Sequence, residues 1–373
     1  MTTELSPLAD LLTDHDLLVA ALGTPALWTR ELAGVLDGAE VTDVHVAPVG
    51  TGQVASCLRV TLSKGTTQSS FVVKTGSDDQ VNRTVSATLR HGEIEVGFYT
   101  HLAPECRVRA PRCYLAAIND AADDYILVLE DLHQHEQADQ IGGMTVDHAQ
   151  AALLQLAELH ARWWGEVPEG TESFMAERGD PSAHAVLLGM LHQGFVERYG
   201  DRLGPEVMRV ADALVEHAAP YLSNRPGPSA VVHGDFRPDN LLVPNPGSQV
   251  MESTVAGNPD TVAVVDWQTV AVGAALGDVA YFLGGALLPD ARREHERELL
   301  DAYRSALASR GVDLSAQQLD EGYRRYSLDG LVMAIGASQV VGRTDRGDDM
   351  FCAMAERSAW HALDSGALDM IDG

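Results

Sequence analysis

The chain has 373 residues, 26 basic against 54 acidic side chains and a formal net charge of −28. That length suits two units, or one long domain of two lobes, each able to bury its own core. The acidic surplus argues against a nucleic-acid partner and an anionic membrane surface, since both need clusters of Lys and Arg; it would attract a cationic substrate and serves solubility equally well.

From Leu8 to about Leu36, apolar residues such as Leu8, Leu11, Leu12, Leu18 and Leu22 recur at helical spacing, with Pro25 as a break. Residues 1–36 therefore read as an N-terminal helical extension. After Asp37-Gly38 the pattern alternates and becomes β-branched, over Val41 to Val46, Ala55 to Leu62 and Ser70 to Lys74. Three strands joined by Gly-containing turns make an antiparallel meander. One helix is predicted from Thr84 to Leu102, then strands around Arg112 to Ile118 and Tyr125 to Leu129.

Beyond Leu132 the character becomes helical, opening with Thr145 as N-cap and the series Ala152, Leu153, Leu156, Leu159, Trp163. This change of class divides a β-rich lobe, residues 37–132, from a helical lobe, residues 133–373. Within the second lobe, helices are predicted over Ser182 to Arg198 and Pro205 to His217. Short strands follow at Ala230 to His233, Asn240 to Val243 and Val262 to Trp267, with a long polar turn between the last two. The remainder reads as helical through about Val341 and again near Phe351 to Leu363.

The most informative segment is His233-Gly-Asp-Phe-Arg-Pro-Asp-Asn240, a polar loop between two apolar strands. It sets Asp235 five residues before Asn240, the spacing of a kinase catalytic loop. A carboxylate there can take or orient the proton of an attacking hydroxyl, and the amide oxygen can ligate magnesium. Val262-Ala-Val-Val265 then delivers Asp266 at a strand end, where a hard carboxylate can hold Mg2+ against nucleotide phosphates. Phosphoryl transfer needs chiefly positioning and charge neutralisation, which these residue types supply. Arg237 either neutralises the transferring group or is simply solvated.

Upstream, Phe71-Val-Val-Lys74 puts a lysine at a strand end, and Lys64 and Lys74 are the only lysines in the chain. An ion-pair partner for Lys74 should come from the next helix, with Glu95 favoured over Glu93. Gly50-Thr-Gly52 between the first two strands suggests a loop over the phosphates, although Gly-x-Gly is also a common hairpin turn. The strand Tyr125 to Leu129 runs into Glu130, Asp131 and Leu132, whose backbone can meet an adenine edge at the lobe connection. Trp163, Trp164, Trp267 and Trp360 either line an acceptor site or fill the core.

In this order the residues resemble the aminoglycoside phosphotransferase and choline kinase superfamily, closest to its ecdysteroid-kinase-like (CHK kinase-like) branch. The resemblance runs from about Val44 to Tyr281. It includes Leu159-His-Ala-Arg-Trp-Trp164 and Gly277-Asp-Val-Ala-Tyr281, which make His160 and Asp278 supports of the catalytic loop. It implies an α+β, bilobal protein-kinase-like fold: an antiparallel β lobe with one helix, a larger helical lobe, and ATP between them. Asp266 is followed by Trp267-Gln268 instead of Phe-Gly, and no Ala-Pro-Glu segment with a long activation loop before it comes after Asp266, so protein substrates are not expected.

The expected function is transfer of the γ-phosphate of ATP, with Mg2+, to a hydroxyl of a small molecule. A catalytically silent nucleotide or metabolite sensor on the same fold is the alternative. Cys57, Cys106, Cys113 and Cys352 have neither zinc-site spacing nor disulfide density, and the start, Met1-Thr-Thr-Glu-Leu-Ser6, shows no secretion leader. A cytoplasmic setting with reduced thiols is expected. The most apolar stretch, Val262 to Pro289, is broken by Asp266 and Asp278 and reads as a buried strand and helix, not a membrane span.

Overall fold

The structure is a computed structural model that describes residues 6–50, 55–171, 173–175, 179–248 and 262–371. The chain first forms a five-stranded antiparallel sheet of β1 (Asp43–Pro48), β2 (Ala55–Lys64), β3 (Thr67–Gly76), β4 (Cys113–Ile118) and β5 (Tyr125–Glu130), in the order β1-β2-β3-β5-β4. Alternation along β5 sends its side chains to two faces. Ile126 and Val128 pack with Val60, Leu62 and Val73 beneath the N-terminal residues. Tyr125, Leu127 and Leu129 join the core that continues into the second lobe.

The N-terminal residues contribute α1 (His15–Ala21) and α2 (Pro25–Glu31); Leu18 and Trp28 of these helices, and Leu22 just after α1, are fully buried on that first face. Asp14 caps α1 by accepting from the Leu17 amide, and Pro25 opens α2 where its missing N–H is harmless.

Between β3 and β4 the single predicted helix is two: α3 (Gln80–Thr88) and α4 (His91–Gly97), the latter continuing as a wider turn to Leu102. The break is at Arg90, in the left-handed region at φ 60° and tied to Glu93 on the next turn. Beyond the break α4 packs against the sheet, with Gly92 so close to Tyr125 that a Cβ would lie 2.4 Å from its ring.

The second lobe starts with β6 (His135–Gln137) and α5 (Val146–Arg162), capped by Thr145 through the His148 amide. Helices α6 (Pro181–Tyr199), α7 (Pro205–Glu216) and α8 (Ala218–Ser223) follow. The predicted short strands become β7 (Ser229–Val232), β8 (Leu241–Pro244) and β9 (Ala263–Val264), joined by β10 (Ala271–Ala274), which the sequence reading lacked. They form two small sheets, β7 with β10, and β6-β8-β9. Helices α9 (Ala275–Ala286), α10 (Pro289–Ala308), α11 (Ala316–Arg325), α12 (Asp329–Val340) and α13 (Asp345–Ser365) complete the lobe. The fold is thus the bilobal, kinase-like α+β architecture. Among the described residues no helix is long and apolar enough to cross a membrane, and all four cysteines are free.

Candidate active site

The two small sheets hold the polar loop 233–240 and the residue after the next strand side by side. The Val265 amide donates to the Asn240 carbonyl at 3.0 Å, and His233 Nε2 donates to the Val265 carbonyl at 3.1 Å. With Nε2 so used, His233 Nδ1 accepts from the Asp235 amide at 3.3 Å. His233 is fully buried, its ring against Trp267 and Phe236, and acts as a strut between the two segments.

Beneath the loop, Asp278 of α9 accepts from the amides of His233 at 2.7 Å and Gly234 at 3.1 Å. Burial works against ionisation of Asp278, yet His160, His233 and the amide donors outweigh it and hold the carboxyl below its usual range. His160 itself is fixed by the Tyr303 hydroxyl, 2.8 Å from Nδ1. Gly234 must be glycine: its φ is +84°, and a Cβ would stand 2.6 Å from the Thr269 carbonyl oxygen.

The loop so held presents Asp235, whose side chain is 18 % exposed. Asn240 Nδ2 donates to the Asp235 carbonyl at 2.8 Å and to its Oδ2 at 2.9 Å, which turns the amide oxygen of Asn240 away from the carboxylate. Arg237 is ion-paired and only partly exposed. Its Nε donates to Asp235 Oδ2 at 3.1 Å, and its Nη1 lies 3.2 Å from Asp239 Oδ2. Asp239 in turn takes a bidentate contact from Arg346 of α13, both nitrogens at 3.1 Å, and an amide from Gln140.

Lys74, on β3 of the first lobe, closes the arrangement. Its Nζ lies 2.6 Å from Glu95 Oε2 on α4 and 2.8 Å from Asp266 Oδ1. Glu93 pairs with Arg90 instead, so the helix phase brings Glu95 to the lysine. Burial would lower the Lys74 pKa, but Asp266 and Glu95 together hold it well above the usual lysine value. Asp266 is likewise kept ionised by Lys74 against the effect of burial. Its backbone is left-handed, φ 66°, a conformation uncommon outside glycine that persists because neighbouring contacts over-determine it. Phe98 stacks on Trp267 at 3.8 Å between ring centres, tying the α4 side of the lobe to the Asp266 segment. Trp267 and Trp163 are therefore core residues.

At the lobe connection, Glu130 and Asp131 use their side chains in clamps: Arg109 on Glu130 at 2.9 Å and Arg59 on Asp131 at 2.8 Å. The Glu130 amide donates to the Arg112 carbonyl, and the Leu132 carbonyl accepts from His135. Gly50 has φ +81°, as a tight turn requires, whereas Gly52 lies outside the described residues. Sequence reasoning missed both arginine clamps and Tyr281, whose hydroxyl donates to Asp235 Oδ1 at 2.8 Å. Tyr281 closed one of the recognised motifs, so position was the available signal.

This is the constellation of a kinase-like phosphotransferase, and comparison with known proteins agrees. Residues 59–315, well over half the chain, match the phosphotransferase enzyme family (APH), and the chain belongs to it. It is a phosphotransferase. No curated protein matches the sequence. Among solved structures, one from Ralstonia eutropha JMP134, provisionally described as an aminoglycoside phosphotransferase, is 14% identical with a TM-score of 0.51 over 90% of this chain and 98% of that one. Wild-type aminoglycoside 2'-phosphotransferase-IIIa, in its GDP complex, is 14% identical with a TM-score of 0.50 over 90% of this chain and 99% of that one. The GDP and kanamycin complex of APH(2")-IIIa is 15% identical, also with a TM-score of 0.50, over 92% and 98%. At these identities the likeness supports the fold.

Proposed function

We propose that the crevice between the lobes binds Mg-ATP and that Asp235 receives the proton of a small-molecule hydroxyl as it takes the γ-phosphate. One observation carries this reading: Lys74 joins Glu95 of the first lobe to Asp266 of the second, on the segment that hydrogen-bonds Asn240 beside Asp235. In this assignment Lys74, held by Glu95, meets the phosphates, Gly50 opens the loop proposed to cover them, and the Glu130 to Leu132 backbone meets the adenine. Arg237 adds positive charge beside the base. The boundary between the lobes falls at residues 132 and 133, with residues 1–36 as an added helical layer.

Asn240 and Asp266 would hold Mg2+. Their chemistry fits a hard cation: the Asn240 amide nitrogen is engaged by Asp235, which leaves its oxygen, and Asp266 is an ionised carboxylate. Two carboxylates also share the single Lys74 ammonium, leaving surplus negative charge for a cation to offset. Bound there, the metal would neutralise charge on the phosphates.

Within the family, the Leu159-His160-Ala161 and Gly277-Asp278 segments favour the ecdysteroid-kinase-like branch. The free thiols and acidic surface suit a cytoplasmic protein working on a soluble metabolite or antibiotic and not on nucleic acid. Incubation with labelled ATP, Mg2+ and a library of hydroxyl-bearing metabolites and antibiotics, with mass detection of phosphorylated products, tests the proposal. A product made by the wild type and not by Asp235→Ala is expected; equal yields from both proteins would reject it.

A further inference from the structure

Three donors converge on the Asp235 carboxylate, and they divide unequally between its oxygens. Oδ2 accepts from Arg237 Nε at 3.1 Å and from Asn240 Nδ2 at 2.9 Å. Oδ1 accepts from the Tyr281 hydroxyl at 2.8 Å. An ionised carboxylate offers about four lone-pair sites, two on each oxygen. Among the described residues, then, Oδ2 is filled and Oδ1 keeps one site open.

Tyr281 reaches this point from α9, one helical turn after Asp278, so the two side chains lie on one face of the helix. Asp278 grips the loop backbone at His233 and Gly234, and Tyr281 grips the side chain of the base. The phenol is buried, which pushes its pKa well above the usual value, with the nearby Asp235 carboxylate adding to the shift. It keeps its proton at neutral pH and donates a hydrogen bond to Oδ1.

We propose that Tyr281 is a positioning residue which fixes the Asp235 carboxylate, and that the acceptor hydroxyl docks on the open site of Oδ1 beside it. This rests on the kinase reading above. In the transfer, the acceptor O–H bond breaks and its proton passes to Oδ1, while the acceptor oxygen forms a bond to the γ-phosphorus of ATP. The bond from that phosphorus to the β,γ-bridging oxygen breaks, and its electron pair leaves with ADP. Asp235 then returns the proton to water as product departs. Oδ2, filled by Arg237 and Asn240, takes no part in the proton transfer.

Tyr281→Phe removes the hydroxyl and keeps the ring, and Tyr281→Ala serves as the packing control. With the acceptor returned by the library assay, and with water as acceptor in its absence, Tyr281→Phe is expected to lower kcat by roughly tenfold to a hundredfold at unchanged KM for ATP. An unchanged kcat would overturn the proposal, as would a loss of ATP affinity matching that of Tyr281→Ala. Crystals of wild type and Tyr281→Phe give a readout free of activity: the Asp235 carboxylate should rotate or split in the variant, and a single unshifted conformer would refute the positioning role. A wild type that transfers phosphate to nothing would reject the kinase reading, and the crystal comparison would still decide the role of Tyr281.

Discussion

Lys74 and Asp266 are 192 positions apart in sequence and 2.8 Å apart in space. The contact makes β3 of the first lobe and the segment just after β9 of the second into parts of one crevice. Because Glu95 takes the same ammonium, the buried Lys74 and Glu95 and the partly buried Asp266 depend on one another, with Lys74 as the cation both carboxylates share. Removing any member of a buried pair leaves a charge that water cannot reach.

Lys74→Ala is therefore expected to reduce stability as well as nucleotide binding. Breaking a buried pair by removing one partner typically costs ~3–5 kcal/mol. Urea denaturation of the nucleotide-free protein should show a loss in that range, and calorimetric titration should show weakened Mg-ATP binding. A variant as stable as the wild type would mean that Glu95 and Asp266 are satisfied without the lysine.

Gly234→Ala should disable the catalytic loop without touching any ionisable group. The positive φ and the 2.6 Å approach of a Cβ to the Thr269 carbonyl force the loop to move. Strain of this kind costs ~1–3 kcal/mol, so a lower urea midpoint together with loss of phosphate transfer is expected. Full activity in the alanine variant would show that the loop tolerates displacement.

His361 on α13 predicts a dependence of stability on pH that is independent of the active site. Its ring is fully buried, neither nitrogen has a hydrogen-bond partner, and Gly284 of α9 lies against it. Burial, with the Arg292 charge added, holds its pKa well below 6.5 in the folded chain. The unfolded chain then binds the extra proton first, so stability is complete above pH 6.5 and falls as pH drops below it. One such group gives a slope of about 1.4 kcal/mol per pH unit until the folded-state pKa is reached. His361→Leu should lose that increment between pH 7.5 and 5.5, measured as the difference between the two proteins in urea; identical pH profiles would contradict the assignment.

Much of the crevice was legible in the sequence because its parts are marked locally. Asp235 and Asn240 sit on one short loop between apolar strands, and Lys74 and Asp266 each end a β-branched run. What escaped is tertiary. Arg59 and Arg109 are ordinary strand and loop residues until the fold sets them against Asp131 and Glu130. Tyr281 meets Asp235 across 46 positions, through a helix whose rotation no local pattern specifies. The break between α3 and α4 was invisible because Arg90, not a glycine, takes the left-handed turn and holds it with its own side chain on Glu93. Strands as short as β6 and β10 exist only because partners await them.

The most direct test of the central claim is Mg-ATP binding measured by calorimetry on wild type, Asp235→Asn and Asp266→Ala, with phosphate transfer followed on the same samples. The expected result is that Asp235→Asn binds Mg-ATP as the wild type does and transfers roughly 10²–10⁴-fold more slowly, while Asp266→Ala loses the part of the affinity that depends on Mg2+. Transfer at the wild-type rate by Asp235→Asn, or undiminished Mg-dependent binding by Asp266→Ala, would contradict it.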